Sequence, residues 1–221
     1  MYKYFLKRVI DFLLAFLGIL LSSPVWLVTI IGILINNFGP IFYLSTRVGK
    51  NNKEFKMIKF RSMRVVKDDD ESSLRPDQDR IFFFGKIIRK LKIDELPQLI
   101  NILIGNMAIV GPRPVAKHQM DIFRIGKYDG AKVVRPGLTG PAAIYDYIYG
   151  DQFEDSDIEK YKEEVLPTRR ELELVYVKKY GFFFDLKMFF WTAGSVICSV
   201  FKKTPKKMLN KLIRMASENN N

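Results

Sequence analysis

Residues 12–46 contain no Asp, Glu, Lys, Arg or His, although the chain of 221 residues carries a net charge of +12. A soluble domain rarely gathers apolar residues in this way, because such a stretch is hard to bury on all sides. At about 1.5 Å per residue, residues 12–35 could span a bilayer core of about 30 Å as one helix. The stretch is too long for the apolar region of a signal peptide, so we interpret it as a retained membrane segment.

Two features bear on whether this segment crosses the membrane. Ser23 and Pro24 lie at its middle, and Pro24 predicts a kink or a break because it has no amide hydrogen. Basic residues flank the segment on both sides, and the positive-inside tendency places both flanks in the cytoplasm. A re-entrant helix that bends at the Ser-Pro pair satisfies both flanks. A spanning helix with a proline kink is the common alternative, and the residues alone leave the two evenly matched.

The composition excludes several kinds of chemistry. With one cysteine, Cys198, and one histidine, His118, the chain lacks a disulfide framework, cysteine-based zinc sites and every two-histidine motif. The excess of basic residues predicts an anionic partner: nucleic acid, an acidic lipid surface or a phosphorylated substrate. The acidic run at residues 68–71 is interpreted as a solvated loop, because it lacks the ligand spacing and the glycine of a calcium loop.

A β-hairpin is predicted after the membrane segment. Residues 41–45 are strand-like, residues 49–52 are typical of a turn, and residues 55–61 alternate apolar and basic side chains. This alternation places Lys59 and Arg61 on the polar face of the second strand.

Asp94 and Glu95 are the strongest candidates for catalysis. Pro97 is best tolerated in the first turn of a helix, which predicts a helix from about Asp94 to Gly105. A helix N-terminus favours carboxylates and phosphates alike, although an isolated Asp there is more often an N-cap. A carboxylate pair within a basic cluster suits a metal ion together with phosphates. Four basic residues come immediately before the pair: Lys86, Arg89, Lys90 and Lys92.

Two rigid turns each carry one arginine, Arg113 in the first and Arg135 in the second. Proline and glycine fix the backbone so that an arginine fork can be aimed at a phosphate or a carboxylate, which predicts a preorganised anion site. The chain has no phosphate-loop motif and no dinucleotide G-x-G-x-x-G motif, so nucleotide recognition would use another device. The turns are Gly111-Pro112-Arg113-Pro114 and Arg135-Pro136-Gly137-Leu138-Thr139-Gly140.

The C-terminal third is predicted to be helical. Residues 159–179 are mixed in charge, and residues 188–201 are apolar but too short to span, which is typical of a core or interfacial helix. Residues 202–214 alternate basic and apolar groups and predict an amphipathic tail on an anionic membrane surface. A solvated helix end is the alternative.

Taken in order, these motifs resemble those of the small bacterial sugar transferases, also called monotopic phosphoglycosyl transferases. The resemblance covers residues 1–203 and is specific, because both the order and the spacing of the motifs match. Besides the two rigid turns, it is carried by Lys7-Arg8-Val9-Ile10-Asp11, Ser23-Pro24, Lys59-Phe60-Arg61-Ser62-Met63, and Asp94-Glu95-Leu96-Pro97-Gln98 with Asn101.

The resemblance implies an α+β, mainly α fold. Residues 1–44 would form a re-entrant membrane helix, residues 45–187 a helical catalytic domain with a small β-hairpin, and residues 188–221 an interfacial amphipathic helix with a basic tail. It implies a monotopic protein on the cytosolic face of the bacterial inner membrane. There, a sugar-1-phosphate would pass from a UDP-sugar to a polyprenyl phosphate, normally undecaprenyl phosphate, with release of UMP.

The resemblance also assigns roles to residues. Asp94 would be the nucleophile of a covalent aspartyl-phosphosugar intermediate, and Asp94 and Glu95 would hold Mg²⁺. The expected partners are the UDP-sugar, undecaprenyl phosphate and anionic membrane lipids, with no nucleic acid; a homodimer is compatible with the resemblance. The basic residues expected to contact substrate are Lys59, Arg61, Arg89, Arg113 and Arg135.

Two positions depart from the family pattern. Ala143 stands where the family has Gln, and Tyr147 stands where a later Arg would fall. The resemblance assigns that Arg to the nucleotide phosphate. Either the binding of the nucleotide or the sugar accepted differs here, or another Arg substitutes for it.

Two other classes of protein stay open. A nucleic-acid binder explains the net charge but not the uncharged stretch. A membrane adaptor or an inactive family member explains the membrane features but not the intact pair Asp94 and Glu95.

Overall fold

The computed structural model describes residues 2–65, 78–150, 158–201 and 203–220. The acidic run at residues 68–71 and Lys202 of the basic tail lie outside these described residues. The fold is mainly helical, with two small sheets of two strands each. The predicted α+β, mainly α class is confirmed at this level.

Helices and strands follow the sequence predictions in most places. The helices are α1 (Lys7–Asn36), α2 (Phe83–Lys90), α3 (Gln98–Ile104), α4 (Met120–Phe123), α5 (Pro141–Ile148), α6 (Ile158–Glu164), α7 (Leu166–Lys179), α8 (Phe182–Val200) and α9 (Lys206–Asn220). The strands are β1 (Phe42–Val48), β2 (Glu54–Phe60), β3 (Ala108–Val110) and β4 (Gly137–Thr139). β1 pairs with β2 in an antiparallel hairpin, and β3 pairs with β4 in parallel.

α1 is the apolar helix that the uncharged stretch predicted. By length and composition it could cross a membrane, since an 18-residue window within it has a mean hydropathy of 2.2. The sequence predicted a kink or a break at Pro24; a break is absent, because α1 continues as one helix through this position. Pro24 cannot donate to the carbonyl of Leu20, and the hydroxyl of Ser23 donates to that carbonyl instead, at 2.8 Å. The Ser-Pro pair therefore satisfies the carbonyl that proline alone would leave without a donor.

Both ends of α1 are tied to the same helical domain. Near its start, Arg8 donates to two carbonyl oxygens at the end of α3, and Asp11 accepts from the backbone N–H of Ile109 in β3 at 3.1 Å. Just past its end, Asn37 accepts hydrogen bonds from Arg61, which follows β2. Between these points α1 contacts α2 and α3.

The predicted hairpin is present. A 3₁₀ turn at Lys50–Asn52 closes it, and Phe55 and Met57 of β2 point into the main core. The alternating pattern placed Arg61 on the polar face, yet this residue is only 3% exposed. Its guanidinium is buried because it bonds to the segment that follows α1.

The two rigid turns lie against each other through the parallel pair of β3 and β4. The N–H of Gly111 donates to the carbonyl of Thr139 at 2.8 Å, and the N–H of Gly137 donates to the carbonyl of Pro112 at 2.7 Å. A Cβ on Gly137 would lie 2.1 Å from the nitrogen of Gly111, so only glycine allows this approach. The glycines of the turns thus serve a close crossing of two backbones.

The C-terminal helices contribute to the main core. Met188 of α8 and Leu212 of α9 are fully buried, and α9 packs against α7. The apolar side of α9 is therefore covered by protein, which leaves its basic side exposed. The outer side of α8 exposes aromatic side chains, among them Phe183 and Phe190. The predicted boundary at residue 188 falls inside α8, whose inner side belongs to this core.

Candidate active site

Asp94 and Glu95 lie in a 3₁₀ turn between α2 and α3. α3 begins only after Pro97, because proline has no amide hydrogen to join the turn to the helix. The predicted helix start at Asp94 is therefore wrong, whereas the predicted end at Gly105 is confirmed. The helix is short and the pair precedes it, so the surroundings of the pair are set by neighbouring side chains rather than by a helix dipole.

Asn101 fixes the carboxylate turn to the hairpin. Its side-chain oxygen accepts from the N–H of Ile58 at 2.9 Å, and its side-chain nitrogen donates to the carbonyl of Lys56 at 2.7 Å. The amide thus bonds to the outer edge of β2 as a neighbouring strand would. In this register the Nζ of Lys59 donates to Oε1 of Glu95 at 2.9 Å. The sequence motif contained Asn101, but its structural role becomes visible only in the fold.

Asp94 is buried, with 6% of its surface exposed. Its Oδ1 has no hydrogen-bond partner among the described residues. Burial raises the pKa of Asp94 above its ordinary value; Glu95 adds to this effect, while Lys59, Arg89 and Lys92 oppose it. A buried carboxylate oxygen without a donor, in the field of three cations, is a group that a ligand would satisfy.

The pKa of Glu95 shifts in the opposite direction to that of Asp94. Burial disfavours its charged form, but Lys59, Lys92 and Arg113 outweigh burial and hold the pKa of Glu95 below its ordinary value. Glu95 is therefore ionised at neutral pH. Among the predicted substrate-binding residues, the structure thus brings Lys59, Arg89 and Arg113 within electrostatic reach of the carboxylate pair.

A buried polar network positions Arg113, and the sequence alone did not predict it. Its Nη1 lies 3.5 Å from Oδ2 of Asp146, and Nη1 of Arg169 lies 3.5 Å from the same oxygen. The hydroxyl of Tyr161 donates to Oδ1 of Asp146 at 2.7 Å. The available signal was Asp146 itself, a charged residue within the otherwise apolar stretch that forms α5.

Two predicted phosphate-binding residues, Arg61 and Arg135, lie elsewhere. Arg61 donates to Asn37 and Pro40 just after α1. The Nε of Arg135 donates to the carbonyl of Gly105 at 2.9 Å, at the end of α3 that is remote from the carboxylate pair. Each arginine sits where a helix ends, and the last carbonyls of a helix lack partners within it. The structure therefore brings neither arginine to the pair.

The carboxylate pair fits a magnesium ion. Mg²⁺ is usually bound by one or two carboxylates together with substrate phosphates and water. The unpartnered Oδ1 of Asp94 is a hard oxygen donor of this kind, and Glu95, whose Oε1 accepts from Lys59, is the second carboxylate. The described residues contain no group of three or more His, Cys, Asp or Glu that could hold a metal. Substrate phosphates and water are the further ligands that Mg²⁺ commonly takes.

The two departures from the family pattern both lie on α5. Ala143 offers no polar side chain there. The ring of Tyr147 lies beneath the ammonium of Lys92, with 4.2 Å between Nζ and the ring centroid.

Known proteins similar to this chain agree on one family. A family model described as bacterial sugar transferase matches residues 2–199. The UDP-N-acetylgalactosamine-undecaprenyl-phosphate N-acetylgalactosaminephosphotransferase of Aeromonas hydrophila is 35% identical over 198 residues, covering 87% of this chain and 44% of that protein. The UDP-glucose:undecaprenyl-phosphate glucose-1-phosphate transferase of Escherichia coli (strain K12) is 37% identical over 190 residues, covering 85% and 39%. The uncharacterized sugar transferase EpsL of Bacillus subtilis (strain 168) is 33% identical over 194 residues, covering 88% of each chain.

These matches cover different shares of the relatives' own lengths. The chain spans less than half the length of the first two relatives and most of the length of the third. The family match nevertheless covers nearly the whole of this chain. The chain therefore belongs to the bacterial sugar transferase family.

Proposed function

We propose that the protein transfers a sugar-1-phosphate from a UDP-sugar to undecaprenyl phosphate, as the first membrane step in the assembly of a glycoconjugate. The observation that carries this proposal is the buried, unpartnered Oδ1 of Asp94 in the field of Lys59, Arg89 and Lys92. A carboxylate oxygen can act as a nucleophile toward phosphorus, while cations attract and hold a diphosphate. Two relatives bear names that specify this kind of transfer to undecaprenyl phosphate.

The reaction proceeds in two displacements at one phosphorus. A carboxylate oxygen of Asp94 forms a bond to the sugar-bearing phosphorus, the bond from that phosphorus to the bridging oxygen breaks, and UMP leaves with the electron pair. A phosphate oxygen of undecaprenyl phosphate then attacks the same phosphorus, which frees the carboxylate of Asp94. The lipid leaves as undecaprenyl diphosphate linked to the sugar.

The other residues of the site hold the reactants. Lys59, Arg89 and Arg113 attract the phosphates, and Asp146 holds Arg113 in place from behind. Glu95 stays ionised and positions the metal or a proton. Mg²⁺, when bound, would neutralise negative charge that develops on the diphosphate as UMP departs.

We also propose that α1 is re-entrant, with both ends on the cytosolic side of the inner membrane. A spanning helix separates its two flanks by about 30 Å of hydrocarbon. Here Arg8 and Asn37, at opposite ends of α1, both contact one domain. The outer side of α1 exposes large apolar side chains, including Leu21 and Ile35, which suit a lipid environment. The exposed aromatic side of α8 and the basic side of α9 would face the same membrane, with anionic lipids as partners of α9.

The test of the proposed function is release of UMP. The full chain in nanodiscs is incubated with Mg²⁺, undecaprenyl phosphate and a panel of UDP-sugars that begins with UDP-glucose and UDP-N-acetylgalactosamine, the substrates that the relatives' names specify. We expect one UDP-sugar to release UMP over many turnovers only when the lipid acceptor is present. Without acceptor, a sugar-labelled substrate should leave stoichiometric label on the protein.

Other results would favour the remaining alternatives. No release of UMP from any UDP-sugar would favour an inactive adaptor, and salt-sensitive binding of nucleic acid would revive the nucleic-acid binder. Rapid transfer that never labels the protein under trapping conditions would favour direct displacement. Asp94 and Glu95 would then be metal ligands only.

A further inference from the structure

Lys92 and Tyr147 form a pair beside the carboxylates that the proposed function does not yet explain. The Nζ of Lys92 lies 4.2 Å from the centroid of the Tyr147 ring, a distance typical of a cation–π contact. Tyr147 comes from α5 and Lys92 from the turn before α3, so the contact joins two separate elements. Tyr147 is also the residue that stands in place of the family's phosphate-binding arginine.

The backbone of Lys92 is itself unusual. Its φ of 56° and ψ of 20° lie in the left-handed region, which glycine and asparagine adopt at much lower cost than lysine. Helices often end on a residue in this conformation, usually a glycine, so the presence of a lysine beside a candidate site supports a use for its side chain. The same conformation sends the chain directly into the turn that carries Asp94 and Glu95.

α5 supports two cations of the site through consecutive residues. Asp146 holds Arg113, and Tyr147 lies under Lys92. Both Arg113 and Lys92 act on Glu95. Two adjacent residues of α5 therefore position positive charge near Glu95, although the family's arginine is missing from that helix.

We infer that Lys92, held over the ring of Tyr147, is the phosphate-binding cation that takes the place of the family's arginine. This inference rests on the proposed function, because it assigns Lys92 to the diphosphate of the UDP-sugar. The ammonium supplies the charge, and the aromatic ring fixes where that charge lies. Lys92 is thus a substrate-binding residue, and Tyr147 is a positioning residue that acts through it.

The test is binding of UDP, measured by calorimetry on the full chain in nanodiscs with Mg²⁺. Lys92→Met should weaken binding by about 10-fold or more, and it should reduce the dependence of binding on salt. Lys86→Met is the matched control, because Lys86 is an exposed lysine on α2 and its replacement removes the same charge. The control should bind UDP as the wild type does.

Variants of Tyr147 separate the ring from the hydroxyl. Tyr147→Leu removes the ring and should weaken UDP binding by about 3- to 10-fold. Tyr147→Phe keeps the ring and should bind UDP like the wild type. Its thermal unfolding midpoint should be unchanged or higher, because the hydroxyl of Tyr147 is buried without a hydrogen-bond partner among the described residues. A purely structural role for the hydroxyl would lower that midpoint.

Double variants test whether the ring acts through the lysine. Lys92→Met with Tyr147→Leu should bind UDP no more weakly than Lys92→Met alone. Tyr147→Arg in the Lys92→Met background should restore UDP binding toward the wild-type value, because a guanidinium then returns to the family's position.

Each outcome separates the inference from the proposed function. Lys92→Met that binds UDP like the Lys86→Met control, or strictly additive losses in the double variant, would overturn the inference while transfer by the wild type still supports the function. Loss of UDP binding in Lys92→Met, in a protein that releases no UMP from any UDP-sugar, would support the inference and reject the function. A wild type that does not bind UDP overturns both.

Discussion

The two ends of α3 are both surrounded by charged side chains, but those charges are used differently. At the end of α3, Arg8 donates to the carbonyls of Ile102 and Leu103, and Arg135 donates to that of Gly105. Before its start, the Oδ1 of Asp94 is buried without a partner among the described residues. The two arginines at the end of α3 bond to carbonyls of the chain and stabilise the fold. The Oδ1 of Asp94, which we propose as the nucleophile, can instead be satisfied by a ligand.

Removing the unpaired carboxylate should have the largest effect on activity and little effect on the fold. Asp94→Asn keeps the shape of the side chain but removes the charged nucleophile, so transfer should fall to background. The thermal unfolding midpoint should not fall, because the variant relieves the burial of a charge. Release of UMP and thermal unfolding in nanodiscs measure the two quantities.

Glu95→Gln removes the neighbouring carboxylate in the same way and serves as the comparison for Asp94→Asn. It should also impair turnover, but it should leave some formation of the labelled intermediate if Glu95 serves the metal or the second step. Undiminished transfer by Asp94→Asn would remove Asp94 as the nucleophile.

Removing a paired cation from the other end of α3 should lower thermal stability and leave UDP binding unchanged. Arg8→Met leaves two carbonyls without their donor, and we expect the thermal unfolding midpoint to fall by about 2–8 °C. Affinity for UDP should stay near the wild-type value, because Arg8 lies at the far end of the helix from the carboxylate pair.

Arg135→Met tests whether Arg135 stabilises the fold or binds substrate, because the sequence predicted that Arg135 contacts substrate phosphate. From its bond to Gly105 we expect a loss of thermal stability without a change in UDP affinity. A large loss of UDP affinity at unchanged stability would instead place Arg135 among the groups that bind substrate.

The contacts at both ends of α1 predict that both ends lie on the same side of the membrane. Pro24→Leu removes the proline ring and supplies a backbone N–H to the carbonyl of Leu20, to which the side chain of Ser23 donates in the wild type, so the helix should stiffen and a fraction of the molecules should shift toward a spanning form. Single cysteines at Phe5 and Asn51, in a Cys198→Ser background, would be labelled from each side of sealed vesicles. In the wild type both should react from the cytosolic side. Reaction of the two positions from opposite sides would contradict the re-entrant proposal.

The smallest expected effect concerns the exposed basic side of α9. Neutralising Lys203, Lys206 and Lys207 should remove about 1 kcal/mol of attraction to anionic lipid for each residue near the surface. A probe on Cys at position 210 should be quenched by labelled headgroups more strongly in anionic than in neutral nanodiscs. Neutralisation should abolish that difference at low salt. Equal quenching in both lipids before neutralisation would leave α9 as a solvated helix.

Sequence patterns predicted the elements of this fold better than their boundaries. The uncharged stretch predicted α1, and the alternation in residues 55–61 predicted β2. The predicted start of α3 near Asp94 is wrong, because the helix begins only after Pro97. α1 is not broken at Pro24, where the hydroxyl of Ser23 satisfies the carbonyl that proline leaves without a backbone donor.

The order of residues along the chain was enough to predict the apolar helix, the hairpin, the carboxylate pair and the family, because these depend on side chains that lie close together in sequence. Which cations face Asp94 depends on contacts between distant parts of the chain. Arg8 and its partner Ile102 are 94 residues apart, and Arg113 is held by Asp146 on another element. A guanidinium bonds to whatever oxygen the fold brings within reach, and near a helix end that oxygen is a backbone carbonyl. Arg61 and Arg135 meet carbonyls of this kind, while Lys59, Arg89 and Lys92 act on Asp94.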